Sequence, residues 1–250
     1  MTTYWVVIAI VMGAAALVLL AFWYQIAPGG PGRNRRWVAM GTSFTPMPGV
    51  RSWVAGIDVG GGAEGIDLTV AGATLSDVVA GQLGPALAAR PSAVVLWVGA
   101  NDLLFGTPLP GFLRDLMTVI GRLQRQGSQI LLVGLPDLAT DGPAIGRRGN
   151  PLAETTEAWR KALREMAELT GSTLILVPAS SDAGPERRTV QITGAVPWLD
   201  PTTHTIVADI VSPVLRQALR DGRYPAGPSE RWDEPADPVQ RRRLGLPPVR

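Results

Sequence analysis

Cysteine is absent from all 250 residues, which removes disulfides, thiolate nucleophiles and cysteine-ligated zinc or iron–sulfur sites from the possible chemistry. Histidine is nearly absent: His204 is the single imidazole. Any mechanism that needs an imidazole to carry a proton must therefore use that residue. Charge of either sign is scarce too, with a formal net charge of +2 and no run of Lys or Arg interleaved with aromatics. Nucleic acid is not an expected partner.

Long apolar runs are also missing, except for one. Residues 5–23 are apolar throughout, and about 20 such residues at 1.5 Å each suffice to cross the hydrocarbon core of a bilayer. Tyr4, Trp5, Phe22, Trp23 and Tyr24 sit at its two ends, where interfacial aromatics belong. A cleaved signal peptide would need a basic leader and a small-residue cleavage site, whereas MTT precedes the run and bulky FWYQI comes after it. The reading is a retained single-pass anchor over residues 4–26, in the cell membrane. Arg33, Arg35 and Arg36 just after the span favour a domain facing the cytoplasm, with the extracytoplasmic side as the alternative. Residues 27–36, rich in Gly and Pro, form a linker too short to be a domain. From residue 223 to 250, prolines and charges outnumber large apolar residues, which predicts a disordered tail.

Between linker and tail, residues 37–222 read as one domain. Apolar runs at 37–40, 66–70, 93–98, 130–135 and 173–177 have strand length. Helical spacing of apolar residues occupies 74–89, 112–123, 154–170 and 206–219, the last interrupted by Pro213. A short helix or loop is expected near 51–57, and residues 178–199 are expected to be irregular. Strands alternating with helices predict an α/β fold, a parallel five-stranded sheet flanked by helices, with flavodoxin-like order 2-1-3-4-5.

In that order the first strand lies between the second and the third, so the loops after these strands converge. Those loops carry Ser43, Gly72 and Asn101. Ser43 ends the stretch WVAMGTS, where a buried strand stops at a tight turn; it is either a nucleophile or the N-cap of the next helix. The backbone N–H groups of Ser43 and Gly72 with the Asn101 amide would supply three donors to a developing oxyanion. Gly72 reads equally as a turn glycine and Asn101 as a strand-end residue fixing its own turn. His204 would serve as the base and Asp200 as its orienting acid, against readings as a surface histidine and a helix N-cap. Asp102 is assigned to holding the loop.

Taken together, Gly41-Thr42-Ser43, Ala71-Gly72-Ala73-Thr74, Gly99-Ala100-Asn101-Asp102 and the pair Asp200 and His204 resemble, in order, the four blocks of the GDSL-type esterase and lipase family, or SGNH hydrolases. Leu132-Val133-Gly134-Leu135-Pro136 is similar to the way that family's fourth strand commonly ends. The resemblance covers about residues 37–221 and implies an SGNH-type hydrolase fold. It implies an ester hydrolase or deacylase working through an acyl-enzyme, with catalytic Ser43, His204 and Asp200, an oxyanion hole of Ser43, Gly72 and Asn101, and no metal or cofactor. Two departures stand out. Thr42 replaces the family's usual Asp, and Asp200 and His204 are four apart where the family spaces them three apart.

Substrates of this kind are small-molecule, lipid or glycan esters. The alternatives are a binding or scaffold protein on the same fold with impaired catalysis, motivated by the altered terminal block, and an acyltransferase passing the group to a hydroxyl. The spacing of Asp200 and His204 allows two local shapes. With Asp200 as N-cap and Pro201 at N1, His204 rides on a helix; with a loop there, a bulge lets Asp200 reach the ring. The requirement for a base near Ser43 favours the loop.

Overall fold

The computed structural model describes residues 35–44, 52–136, 151–177, 190–193, 196–199 and 201–222. The expected anchor, the expected linker up to residue 34, Asp200 and the expected tail from 223 onward lie outside the described residues. Among the described residues no helix is long and apolar enough to cross a membrane.

Five parallel strands form the sheet: β1 Arg36–Gly41, β2 Glu64–Asp67, β3 Ala93–Trp97, β4 Gln129–Val133 and β5 Thr173–Ile175. Their order is β2-β1-β3-β4-β5, the expected flavodoxin-like arrangement. Parallel strands covered on both faces must be apolar on both, and β3, AVVLW, is buried at every position. Pairing sets Gly41 level with Trp97 and Trp97 level with Val133, so the carboxyl ends of the three inner strands finish together.

Helices α1 Trp53–Gly56, α2 Leu75–Asp77, α3 Leu83–Ala89, α4 Ala100–Leu104, α5 Leu109–Arg125, α6 Pro151–Thr170 and α7 Pro201–Asp221 flank the sheet. In α5 the buried positions Phe112, Leu116, Val119, Ile120 and Leu123 recur every three or four residues and make one apolar stripe. Arg122 and Arg125 complement its carboxyl end. Phe112 meets Trp159 of α6 at 4.7 Å between ring centroids.

The expected helix over 74–89 is present but not uniform. Thr74 opens it with a capping box, in which its hydroxyl accepts from Asp77 N–H and the Asp77 side chain accepts from Thr74 N–H. Between α2 and α3 lies a π-helical turn, Val78–Gln82, in which Leu83 N–H bonds the carbonyl of Val78. Pro85 explains the widening: it has no N–H for the carbonyl of Gly81, and its ring crowds that carbonyl.

Two expectations are corrected. The stretch 178–199 is not irregular throughout, because β6 Val190–Thr193 and β7 Val196–Leu199 pair as an antiparallel hairpin. The residues before His204 are not a loop. Helix α7 begins at Pro201, so Pro201, Thr202 and Thr203 already belong to its first turn, and His204 comes next inside the helix. Proline at a first helical position needs no N–H, which is why the chain starts the helix there.

Candidate active site

At the end of β1 the chain makes a turn that only particular residues allow. Gly41 has φ 101°, and a Cβ there would sit 1.9 Å from the Trp97 carbonyl oxygen, so no larger residue fits. Thr42 N–H donates to that same carbonyl at 3.0 Å. Phe44 has φ 52°, a conformation that costs a bulky residue about 1–2 kcal/mol. Its burial offsets that cost: the ring lies 4.6 Å from Trp97, which in turn meets Trp53 edge-on at 5.5 Å. Half-buried Ser43 is thus held between two residues with positive φ.

The turn after β2 docks against it. Ala73 N–H bonds the carbonyl of Val70 at 3.2 Å with Gly72 at φ 74°, as a type II turn requires at its third position. Ser43 N–H donates to the same Val70 carbonyl at 3.3 Å. Asn101, at the amino end of α4 and buried, donates its side-chain amide to Ala73 O at 2.8 Å. Ser43, the Gly72 turn and Asn101 are therefore linked by three consecutive hydrogen bonds. Two of the three expected oxyanion donors point at protein carbonyls in this state, although the Asn101 amide carries a second hydrogen. Among the described residues the buried Asn101 Oδ1 and Trp97 Nε1 find no hydrogen-bond partner, and a catalytic role is one of the few reasons a protein keeps such atoms.

Asp102 holds the loop, as expected. Its carboxylate accepts Leu75 N–H at 3.0 and 3.1 Å and Gly99 N–H at 3.2 Å, tying the β3 loop to the start of α2. Burial pushes its pKa up, against the opposing effect of those backbone bonds.

His204 is buried, not on the helix surface, and its Nδ1 accepts the backbone N–H of Trp53 at 3.1 Å. The Trp53 indole N–H reaches Thr42 O at 3.4 Å, so one residue spans from the imidazole to the neighbour of Ser43. Trp53 is not legible in the sequence as a site residue; the only local signal is Ser52 before it, the N-cap of α1, which accepts from Ala55 N–H at 3.2 Å. An acceptor at Nδ1 puts the proton of a neutral ring on Nε2. A serine triad needs the reverse, with Nδ1–H facing the acid and a lone pair on Nε2.

Gln82 is a second residue that sequence reasoning misses. Its buried amide takes Gly41 N–H at 2.6 Å and gives a hydrogen to Gly41 O at 3.1 Å. An open depression of about 390 Å³ is walled by Leu68, by residues 70–73 of the Gly72 turn, and by Asp77, Gly81 and Gln82. Among the described residues, no three His, Asp or Glu side chains converge as a metal site requires.

Several solved structures share the fold. A protein of the G-D-S-L family from Desulfitobacterium hafniense DCB-2 superposes with a TM-score of 0.58 at 17% identity, over 72% of this chain and 99% of its own. TesA gives 0.57 at 20% identity, over 73% and 99%. A catalytic mutant of an acetylxylan esterase from Geobacillus stearothermophilus gives 0.59 at 15%, over 75% and 96%. A comparison with curated proteins found no match. The sequence model of the GDSL-like Lipase/Acylhydrolase family matches residues 32–199, a span that contains Ser43, Gly72 and Asn101 and stops short of Asp200 and His204. With two thirds of its length matched and the family's sheet order in place, the chain belongs to the GDSL-like lipase/acylhydrolase family and is an ester hydrolase of that type.

Proposed function

We propose that the chain is a membrane-anchored serine hydrolase that removes an acyl group through an acyl-enzyme on Ser43. The observation that carries this reading is the run of hydrogen bonds from Ser43 through Val70 and Ala73 to Asn101, which gathers a hydroxyl and an amide at the carboxyl ends of three strands. Ser43 Oγ attacks the ester carbonyl, its proton passes to His204, and the oxyanion is held by the Gly72 N–H, by the second amide hydrogen of Asn101 and by the Ser43 N–H once it has left the Val70 carbonyl. Collapse expels the alcohol with a proton from His204, and water releases the acid by the same path. For Nε2 to accept the proton, the ring must carry its own on Nδ1, so Trp53 N–H has to be given up in the working state. Asp200 is the proposed partner for that Nδ1–H, which requires the first turn of α7 to open in the working state, because a helix that starts at Pro201 leaves Asp200 at its cap.

The substrate class is a small-molecule, lipid or glycan ester, consistent with the acetylxylan esterases that share the fold. The run over residues 5–23 is the proposed anchor, with the domain facing the cytoplasm. A second reading, a scaffold with impaired catalysis, is favoured by one observation: the imidazole is hydrogen-bonded at Nδ1 as an acceptor. His204→Ala in the full chain, assayed on p-nitrophenyl acetate, separates the two. The hydrolase reading expects turnover by the wild type and loss of nearly all of it in the variant; a wild type no faster than buffer favours the scaffold, and a fully active variant excludes His204 as the base. For the anchor, fractionation should recover the chain with membranes, and recovery in the soluble fraction would exclude it.

A further inference from the structure

At the end of β1 one rung of the ladder to β2 is missing. Strand β2 ends at Asp67, and beyond it Leu68 N–H still bonds Ala39 O at 3.0 Å and Val70 N–H bonds Gly41 O at 3.0 Å. The Gly41 N–H finds no strand carbonyl. It is taken instead by Gln82 Oε1 at 2.6 Å, while Gln82 Nε2 donates back to Gly41 O at 3.1 Å. Both ends of one side-chain amide are spent on one residue, and that residue lies two positions before Ser43.

Gln82 reaches this place because of the π-helical turn. The extra residue in Val78–Gln82 rotates Gln82 inward, where it is buried, and leaves Gly81 with nothing within 4 Å of where a Cβ would stand. A regular helix through the same stretch would present a different residue to β1. Gly41 itself has no side chain to fix its peptide planes, and with φ 101° beside the Trp97 carbonyl it can have none. The orientation of the chain entering the Ser43 turn is therefore set from outside.

We propose that Gln82 is a positioning residue for the hydrolytic reaction: its amide completes the β1 ladder at Gly41 and thereby fixes the direction in which the turn presents Ser43. The inference rests on Ser43 being the nucleophile. Gln82 touches no reacting atom, and it acts through Gly41, by holding the nucleophile within the narrow range of attack geometry on which rate depends. An apolar side chain of the same length would fill the same space and leave the Gly41 peptide free to tilt.

The test compares four full-length proteins, wild type, Gln82→Met, Leu83→Ala and Ser43→Ala, for kcat and KM on p-nitrophenyl acetate and for the rate of labelling by a fluorophosphonate. All rates are taken per folded molecule, with the folded fraction from near-ultraviolet circular dichroism. Leu83, buried in α3, is the control for loss of stability alone. Gln82→Met is expected to lower kcat and labelling rate at least tenfold with KM within twofold, while Leu83→Ala lowers the thermal midpoint and leaves both rates within twofold. A Gln82→Met enzyme whose kcat stays within twofold of wild type, or whose loss is matched by Leu83→Ala, overturns the proposal. If Gln82→Met does not fold, Gln82→Leu, which likewise removes both amide partners of Gly41, is judged by the same thresholds. A fully active Ser43→Ala would sink the nucleophile assignment itself, whereas an inactive Ser43→Ala beside a fully active Gln82→Met would sink only the role of Gln82.

Discussion

Trp53 gives its backbone N–H to Nδ1 of His204 at 3.1 Å, and this bond decides where the imidazole proton resides. Trp53 is the first residue of α1 and His204 lies in the first turn of α7, so the contact also pins those two helices to each other. An N–H at the start of a helix has no partner within the helix, and His204 supplies one. Nitrogen-15 NMR of the resting protein is expected to show the neutral imidazole protonated at Nε2. A spectrum with the proton on Nδ1 would mean that the Trp53 contact is not the resting state.

Gly41 and Gly60 make a matched pair. Both have positive φ, 101° and 79°, but a Cβ at Gly41 meets Trp97 O at 1.9 Å while one at Gly60 meets nothing within 4 Å. Gly60→Ala should cost about 1–2 kcal/mol from the backbone alone. Gly41→Ala should cost at least about 4 kcal/mol or prevent folding, because the clash is with main chain that cannot move aside. Equal losses in denaturant titration would contradict the close approach.

Asp102 and Asp77 are perturbed in opposite senses, which gives opposite pH dependence. Burial raises Asp102, so its contribution to stability is fully present below the ordinary carboxylate value of 3.8 and is lost as pH rises through the raised value. Hydrogen bonds from the Thr74 side chain and backbone lower Asp77, so its contribution is present above 3.8 and is lost as pH falls through the lowered value. Against Asp102→Asn, the wild type should lose relative stability on going from acid to neutral pH. Against Asp77→Asn it should gain. Parallel curves in either comparison would refute the corresponding environment.

Asn101 binds Ala73 O at 2.8 Å with one amide hydrogen and, in the proposed mechanism, the oxyanion with the other. Asn101→Ala is expected to lower kcat by about 100-fold to 1000-fold, the usual effect of losing one oxyanion donor, with little change in KM. A rise in KM with kcat preserved would assign Asn101 to holding the loop only.

Much of this architecture is legible from residue patterns. Strand-length apolar runs locate four of the five parallel strands closely, and their alternation with helical stripes predicts the sheet order; the run at 66–70 overlaps β2 only at Ile66 and Asp67, because that edge strand, EGID, is mostly exposed and carries no apolar signal. Gly41, Gly72 and Asn101 can be placed because strand ends and turn glycines carry local signals. Partnerships across the sheet escape such reading. Nothing near Gln82 announces that its amide will serve a peptide 41 positions earlier, since that depends on a π-helical turn imposed by Pro85. Nothing near Trp53 announces a partner 151 positions later. The loop expected before His204 fails for a different reason: a chemical demand for a base near Ser43 carries no local conformational signal, whereas Pro201 is a plain helix start, and the helix start wins.

Covalent labelling is the decisive test of Ser43 as the nucleophile. The full-length protein is treated with a fluorophosphonate, digested, and the modified peptide is mapped by mass spectrometry. A single adduct is expected on Ser43, formed with loss of ester hydrolysis, and no labelling of Ser43→Ala. An adduct elsewhere, or a Ser43→Ala protein that hydrolyses esters at the wild-type rate, would contradict it.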